Sequence, residues 1–313
     1  MAVKIGISAC VLGDKVRFDG GHKASTFCTQ QLQPLVQYVA VCPEQAIGMG
    51  VPRPAIRLQR DTQQQIRLVQ SRDNSLDYTE QMLDYTAQML PRFAELSGYI
   101  VCAKSPTCGM ERVKLYDTEG NALGKLAVGV YTRQLMQAYP WLPVEEDGRL
   151  LDPALKENFV SRVFACHDFQ KTMRDGFSIG KLVAFHSRYK FLVMAHSPVA
   201  YHQLGKLVAE AKLFQPAELQ LRYLTELMQA MRNIATRKQH ANVLQHLQGF
   251  LKKLMDSAAR QELAELINRY RCGRVPLLAP VTLLQHYLRL YPNNYLQQQV
   301  YFNPYPEQLG LRA

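Results

Sequence analysis

With 313 residues, 47% of them hydrophobic and 20% charged, the chain has the make-up of an ordinary globular protein with room for two domains. Its longest apolar stretches, such as Ile100–Ala103 and Phe191–Ala195, are too short to cross a bilayer, and Met1–Cys10 lacks the apolar core of a signal peptide, so the cytoplasm is the expected location, with no membrane partner. The formal net charge of +11 is unevenly placed: residues 1–150 hold 16 Lys+Arg against 15 Asp+Glu, and residues 151–313 hold 21 against 11.

In chain order, Val3–Ser8 is a β-branched run that breaks into a Gly-rich loop. Val36–Cys42 and Tyr99–Lys104 are two further strand-like runs. Between them Ser75–Leu96 has helical spacing, with Leu76, Met82, Leu83, Met89 and Leu90 apolar. Thr118–Gly124 reads as a turn and Lys125–Tyr139 as a helix. This alternation predicts an α/β domain with a Rossmann-like parallel sheet over residues 1–145. Pro140–Pro153, with Glu145, Glu146, Asp147 and Gly148, reads as an acidic, turn-rich boundary. Beyond it strand signals nearly vanish. Leu155–Arg174, Lys181–Ala195, Ala217–Arg232, Ser257–Arg271 and Val281–Leu290 read as amphipathic helices, predicting an all-α, basic domain over 153–313 with an irregular tail from Tyr291.

Seven cysteines, an odd number, argue against a disulfide framework and for inert thiols, ligands or nucleophiles. Three of them share one plan, a predicted strand running out into a cysteine-bearing loop: Cys10 after Val3–Ser8, Cys42 at the end of the second run, and Cys108 after the third. In a parallel sheet the loops beyond the carboxyl ends of the strands meet in one crevice, so Cys10, Cys42 and Cys108 are expected to converge. Three thiolates suit a soft metal centre. A 4Fe–4S cluster normally takes four cysteines, so three leave one iron open. Zinc is the competing metal, although structural zinc sites usually pair their ligands at close spacing. Cys102 reads as a small core residue inside the third strand, and Cys28, Cys166 and Cys272 as core or surface thiols.

The segments SACVLGDKVRFDGGHK, VCPE followed by Gly48-Met49-Gly50-Val51-Pro52-Arg53-Pro54, and KSPTCG resemble the signature blocks of the TudS-type thiouracil desulfidase domain. FHSRYKFLVMAHSPVAYHQLGKLV, from about His186, resembles the helical YbgA-type domain. Together they resemble the RudS-type tRNA 4-thiouridine desulfidases. Val16 stands where many stand-alone relatives carry a further cysteine, which leaves Cys10, Cys42 and Cys108 as the ligand trio. The resemblance implies conversion of C=S to C=O in 4-thiouridine of tRNA, without net redox change. The open iron of the 4Fe–4S cluster would bind the substrate sulfur, which leaves as hydrosulfide at that iron.

Such a reaction needs a proton acceptor for water and donors to the heterocycle. Glu44, just after Cys42, is the candidate general acid–base; its competing role is ion-pair partner of Arg17 or Arg53. Ser105 would position the base or a proton, or simply cap its loop. Asp19, His22 and Lys23 in the first loop are further candidates for substrate binding.

A basic domain points to a nucleic-acid backbone, the alternative being a merely solvated basic surface. Lys171, Arg174, Lys181, Arg188 and Lys190 are the candidate RNA contacts, while the interleaved Phe177, Phe185, Tyr189 and Phe191 suit a helical core better than a stacking platform. His196 and His202 suit structural roles. tRNA is the expected partner, and no obligate protein partner is evident. Two alternatives stay open: a desulfidase of free thiouracil or small thionucleosides, and a non-catalytic iron–sulfur RNA-binding or sensing protein.

Overall fold

The computed structural model describes residues 2–312, which divide into two compact units between Phe159 and Val160. The first unit contains eight strands: β1 (Val3–Ser8), β2 (Val36–Val41), β3 (Ile56–Arg60), β4 (Ile66–Gln70), β5 (Gly98–Val101), β6 (Val113–Tyr116), β7 (Ala122–Ala127) and β8 (Val144–Glu146). With them are the helices α1 (Ala9–Leu12), α2 (Pro43–Ala46), α3 (Thr79–Phe93) and α4 (Val130–Ala138). A long helix, α5 (Pro153–Met173), runs across the division.

One sheet has the order β2-β1-β5-β8 and is parallel throughout, as the alternation predicts. Its registers put Ser8 opposite Val41, Ile7 opposite Ile100, and Tyr99 opposite Val144. β1 buries Ile5, Gly6, Ile7 and Ser8, and β5 is buried along its whole length, the pattern of central parallel strands covered on both faces. Under the sheet, Phe93 of α3, Tyr99 of β5 and Tyr131 of α4 meet edge to face, and the Tyr99 and Tyr131 hydroxyls lie 2.8 Å apart.

Two parts of this unit depart from the sequence reading. The acidic stretch expected to be a turn-rich boundary supplies the edge strand β8, and Glu145, Glu146 and Asp147 are buried. Loop N–H groups satisfy Glu146, a loop N–H and Lys23 satisfy Asp147, and Arg149 holds Glu145, so acidity there did not mean solvent. There is also a second sheet, of order β4-β3-β6-β7, in which β3–β4 and β6–β7 are antiparallel and β3–β6 is parallel. Its strands are short and rich in Arg, Gln and Lys, so their alternation around the buried Leu58, Leu68, Val113 and Leu115 was easy to overlook. The helix expected from Lys125 therefore begins at Val130, because Ala122–Ala127 pairs with β6. The connection from β5 to β6 leaves the first sheet and enters the second.

The second unit is helical: α6 (Ile179–His196), α7 (Pro198–Ala209), α8 (Pro216–Met231), α9 (Arg237–Leu251), α10 (Ser257–Arg271), α11 (Leu278–Leu290) and α12 (Asn294–Gln297) follow α5. α7 and α9 lie where no helix was expected. α7 starts with Pro198 in its first turn, where a missing N–H costs nothing, and α9 starts with a capping box between Thr236 and Gln239. The tail from Tyr291 packs back within this unit, with Leu296 and Tyr301 fully buried. Among the described residues no helix is long and apolar enough to cross a membrane.

α4 fixes the β5–β6 connection at close range. Its first backbone donors reach that loop, Val130 N–H donating to Pro106 O (3.1 Å) and Gly129 N–H to Gly109 O (2.8 Å). A Cβ on Gly129 would overlap the Thr107 carbonyl. Gly129→Ala should therefore push the loop away, at a cost of about 1–3 kcal/mol, seen as a lower urea midpoint of the apoprotein. Equal midpoints would show that the loop yields freely.

The second unit should also weaken in acid. Burial holds His186 and His196 down at about 4 and His240 at about 3, against an ordinary 6.5. His196 Nδ1 lies 2.6 Å from Asn233 O. The unfolded chain takes up these protons first, so the contribution is complete above pH 6.5 and is lost as the pH falls toward 4. Helical ellipticity followed in urea should give a flat midpoint above pH 7 and a falling one from pH 6.5 to 4.5; a midpoint that rises in this range would contradict the burial argument.

Candidate metal centre and active site

The parallel order β2-β1-β5 brings three loops to one edge. β1 ends at Ser8, and the single turn α1 carries Cys10 before Gly13, at φ 109°, ends it in a conformation that suits glycine. Lys23 N–H donates to Cys10 O at 2.8 Å, folding the first loop back over this turn. β2 ends at Val41, and Cys42 caps the start of α2, its Sγ 3.7 Å from Val16 O. β5 ends at Val101. Cys102 N–H donates to Ser8 Oγ (3.0 Å), and the loop continues to Cys108.

Cys10, Cys42 and Cys108 thus lie in loops leaving one sheet edge, and their charges act on one another. The thiol of Cys10 is raised by its hydrogen bond with Cys102, then by burial and by Cys102, Cys108 and Cys42. Burial raises Cys42, and burial followed by Glu44 and Cys102 raises Cys108 well above the thiol range. Cys102 is the exception. Its hydrogen bond with Cys10, then Lys23 and Arg17, hold it below its ordinary value, against burial. Cys102 is buried, as expected of a core residue, but it lies just past the end of β5 and not inside the strand, and its thiol also belongs to this group. Cys28 and Cys166 are buried, and Cys272 is exposed.

This donor set fits an iron–sulfur cluster. It is all soft sulfur, and thiolates gathered and buried together repel one another until a cationic centre offsets them. Among the described residues no three His, Cys, Asp or Glu side chains close on a point that would hold a single ion. Thiolates serving separate irons have no need to. Cys10, Cys42 and Cys108 would hold the cluster, with Cys102 against Cys10.

Glu44 stands in the first turn of α2, and Arg53 grips it. Arg53 Nε (3.0 Å) and Nη2 (2.6 Å) both donate to Glu44 Oε2. Oε1 is left facing Ser105 Oγ at 3.5 Å. Ser105 Oγ also accepts N–H from Thr107 (3.2 Å) and Cys108 (3.0 Å), so the hydroxyl caps its loop and faces the carboxylate at once. Arg53 further donates to Val16 O (2.9 Å) and Gly50 O (3.1 Å), and its backbone N–H to Phe18 O (2.9 Å). It ties the first loop to the second. The sequence singled out Arg53 only as a partner for Glu44; its place in the Gly48–Pro54 block was the available signal.

The other first-loop candidates are engaged locally. Asp19 lies in an exposed turn, where Gly21 N–H (3.0 Å) and then Arg17 (3.5 Å) hold its carboxyl below the usual range, against slight desolvation. His22 Nδ1 accepts Ala24 N–H at 3.2 Å. Lys23 pairs with Asp147 at 2.8 Å; burial pulls its ammonium down, but Asp147 and Cys102 carry it above its ordinary value. The buried acids of the β8 region were not anticipated as part of the site. Asp147 accepts Ala103 N–H (2.7 Å) and Glu146 accepts Met110 N–H (2.9 Å), bracing the Cys108 loop at both ends. Burial raises the Glu146 carboxyl against those backbone bonds.

In the helical half, Arg188 pairs with Asp168 (3.0 Å), Lys181 Nζ donates to Gly176 O (2.8 Å), and Lys190 Nζ lies 4.9 Å from the Tyr295 ring centre. Lys171 lies in the last turn of α5, with Arg174 just beyond it. Phe185, Tyr189 and Phe191 are core residues. His196 is buried, and His202 is exposed beside Tyr201.

Residues 5–147 match the model of a family described as 2-thiouracil desulfurase, and residues 190–306 match one described as a protein of unknown function, DUF1722. Over 152 residues the chain is 38% identical to the uncharacterized protein YbgA of Escherichia coli (strain K12), covering 48% of this chain and 90% of YbgA. The chain belongs to the YbgA family. The two family models match successive parts of the chain, the desulfurase model first and the DUF1722 model after it. A solved structure of a [4Fe–4S]-dependent thiouracil desulfidase, TudS, is also similar: 25% identity, 50% of this chain and 99% of that one covered, TM-score 0.38.

The Arg53 side chain is 4% exposed and Glu44 13%, so removing the cation strands a shielded carboxylate. Arg53→Met should cost about 3–5 kcal/mol in urea unfolding of the apoprotein. An unchanged midpoint would mean that the fork holds nothing together.

Proposed function

We propose that this protein is a 4Fe–4S-dependent desulfidase that converts 4-thiouridine in tRNA to uridine and releases hydrosulfide. The observation that carries the reading is Glu44 Oε1 facing Ser105 in the loops that hold Cys42 and Cys108. The match of residues 5–147 to a 2-thiouracil desulfurase family supports the thiocarbonyl chemistry, and the excess of Lys and Arg in residues 151–313 supports a polyanionic substrate.

The reaction is a hydrolysis, C=S and water giving C=O and hydrogen sulfide, in which no electrons are exchanged. When bound on Cys10, Cys42 and Cys108, the cluster supplies a thiophilic Lewis acid through the iron that lacks a cysteine. The chain's own groups handle the proton. Arg53 occupies Oε2 of Glu44, which keeps Oε1 turned to the crevice as the acceptor for the proton of the attacking water. Ser105, held by the N–H groups of Thr107 and Cys108, keeps its hydroxyl beside that oxygen and orients the water or the base. Buried Glu146 and Asp147 keep the Cys108 loop in register with the other two.

Glu44→Gln preserves the shape and removes the base. It should retain iron and the cluster's visible absorption, yet lose about 10²- to 10⁴-fold in anaerobic turnover, followed as loss of thiocarbonyl absorbance and as free sulfide. Bulk bacterial tRNA and free 4-thiouracil are compared side by side. Turnover of the free base alone would reassign the substrate to small thiobases. A loaded wild-type protein that changes neither would leave an RNA-binding or sensing role.

A further inference from the structure

The sequence locates the basic charge in the helical half, and the first half is nearly neutral overall. That neutrality conceals a strongly one-signed cleft of about 480 Å³ on the second sheet. Arg57, Lys104, Arg112, Lys114 and Lys125 line it, and no carboxylate does. We infer that this cleft is a phosphate subsite that holds the phosphodiester backbone of an RNA strand beside the cysteine-bearing loop. The inference rests on the desulfidase reading for its substrate and goes beyond it by assigning part of RNA recognition to the catalytic half.

Three independent features support the assignment. First, the three lysines lack carboxylate partners among the described residues. Lys104, Lys114 and Lys125 are exposed and form no ion pair among the described residues; Arg112 has only Glu111 at 3.5 Å, which also pairs with Arg149 at 2.9 Å. Charges of one sign collected in a concave site repel one another, and an anion relieves that repulsion.

Second, Arg57 is set in advance. Its guanidinium lies 5.3 Å from the Tyr116 ring centre, and Nη2 donates to Gln59 (3.2 Å) and Asn74 (2.8 Å), while Nε is buried without a hydrogen-bond partner. A planar fork fixed in this way suits phosphate oxygens better than a freely rotating ammonium does.

Third, the backbone bears strain to keep two of these charges. Lys104 and Arg112, at the two ends of the turn that holds Ser105 and Cys108, adopt left-handed φ values of 66° and 53°. Glycine would sit there without strain, so the cationic side chains are retained against a backbone cost. Lys104 is the residue before Ser105. The loop that lines this cleft on one side therefore carries a cluster cysteine and the Glu44-facing hydroxyl, and a strand bound by its phosphates runs past the crevice that receives the base.

The test uses the full chain and fluorescence anisotropy of a labelled single-stranded RNA over a salt series. Lys114 and Lys125 are exposed on strands of the second sheet, so Lys114→Ala/Lys125→Ala should fold; circular dichroism verifies this, and Lys114→Arg/Lys125→Arg restores the charge. Each phosphate contact on a single strand contributes about 0.7 to the slope of log K against log salt, so the alanine pair should lower that slope by about 1.4, with the arginine pair near wild type. In turnover the alanine pair should raise KM for thiolated RNA more than it lowers kcat. An unchanged slope overturns the subsite. So does competition by uridine monophosphate or inorganic phosphate as strong as that of the strand, which would make the cleft a site for small phosphates. Binding is read without turnover, so an inactive protein with the expected slope rejects the desulfidase reading alone, and active protein with an unchanged slope rejects the cleft alone.

Discussion

Because β2, β1 and β5 run parallel and side by side, the chain leaves all three at the same edge. Parallel hydrogen bonding leaves no other exit, and each strand is followed at once by a loop bearing a cysteine. Cys10, Cys42 and Cys108 are brought to one rim from positions far apart in sequence. The helical turn after β1 and the cap of α2 then set how far each thiol stands from its strand. The chemistry proposed for this protein depends on that rim.

A rim of loops is loose unless it is tied, and the ties are polar. Arg53 joins the first and second loops through Val16, Phe18 and Glu44. Ser105 faces Glu44 across the second and third. Asp147 and Glu146 take backbone donors at the two ends of the third, and α4 presses on it through Gly129. Buried groups of this kind are costly when unpaired and rigid when satisfied. The site is held by ion pairs and backbone bonds at its edge and by the Phe93–Tyr99–Tyr131 packing beneath the sheet.

Charge is distributed in two registers. The helical half carries an excess that any composition count reveals, though Arg188 commits its charge to Asp168. The first half balances overall while separating its signs locally. Its acids lie largely at β8, at the turns and in pairs with arginines, and the cations of the second sheet are left together. Net charge per domain therefore conceals where like charges gather within it.

β1, β2, β5, α3 and the main later helices were legible in the sequence because their apolar residues repeat with the period of one regular element. The cysteine plan was legible because strand, loop and thiol are contiguous in each of its three copies. The second sheet was not: its strands are four to six residues long, and their charged side chains mask an alternation that only pairing reveals. β8 was not, because an acidic run reads as solvent-facing until loop N–H groups and the Lys23 and Arg149 side chains satisfy it. Arg53 was legible as an arginine near Glu44, but not as the residue that grips Oε2 and ties two loops. By itself the sequence determined the strands of the first sheet other than β8, the main later helices, the set of thiols and the overall charge, which are properties of contiguous residues. Tertiary structure alone decided which carboxylates are buried, which cation holds Glu44 and where the unpaired cations gather, because each depends on groups tens of residues apart being brought within a few ångströms.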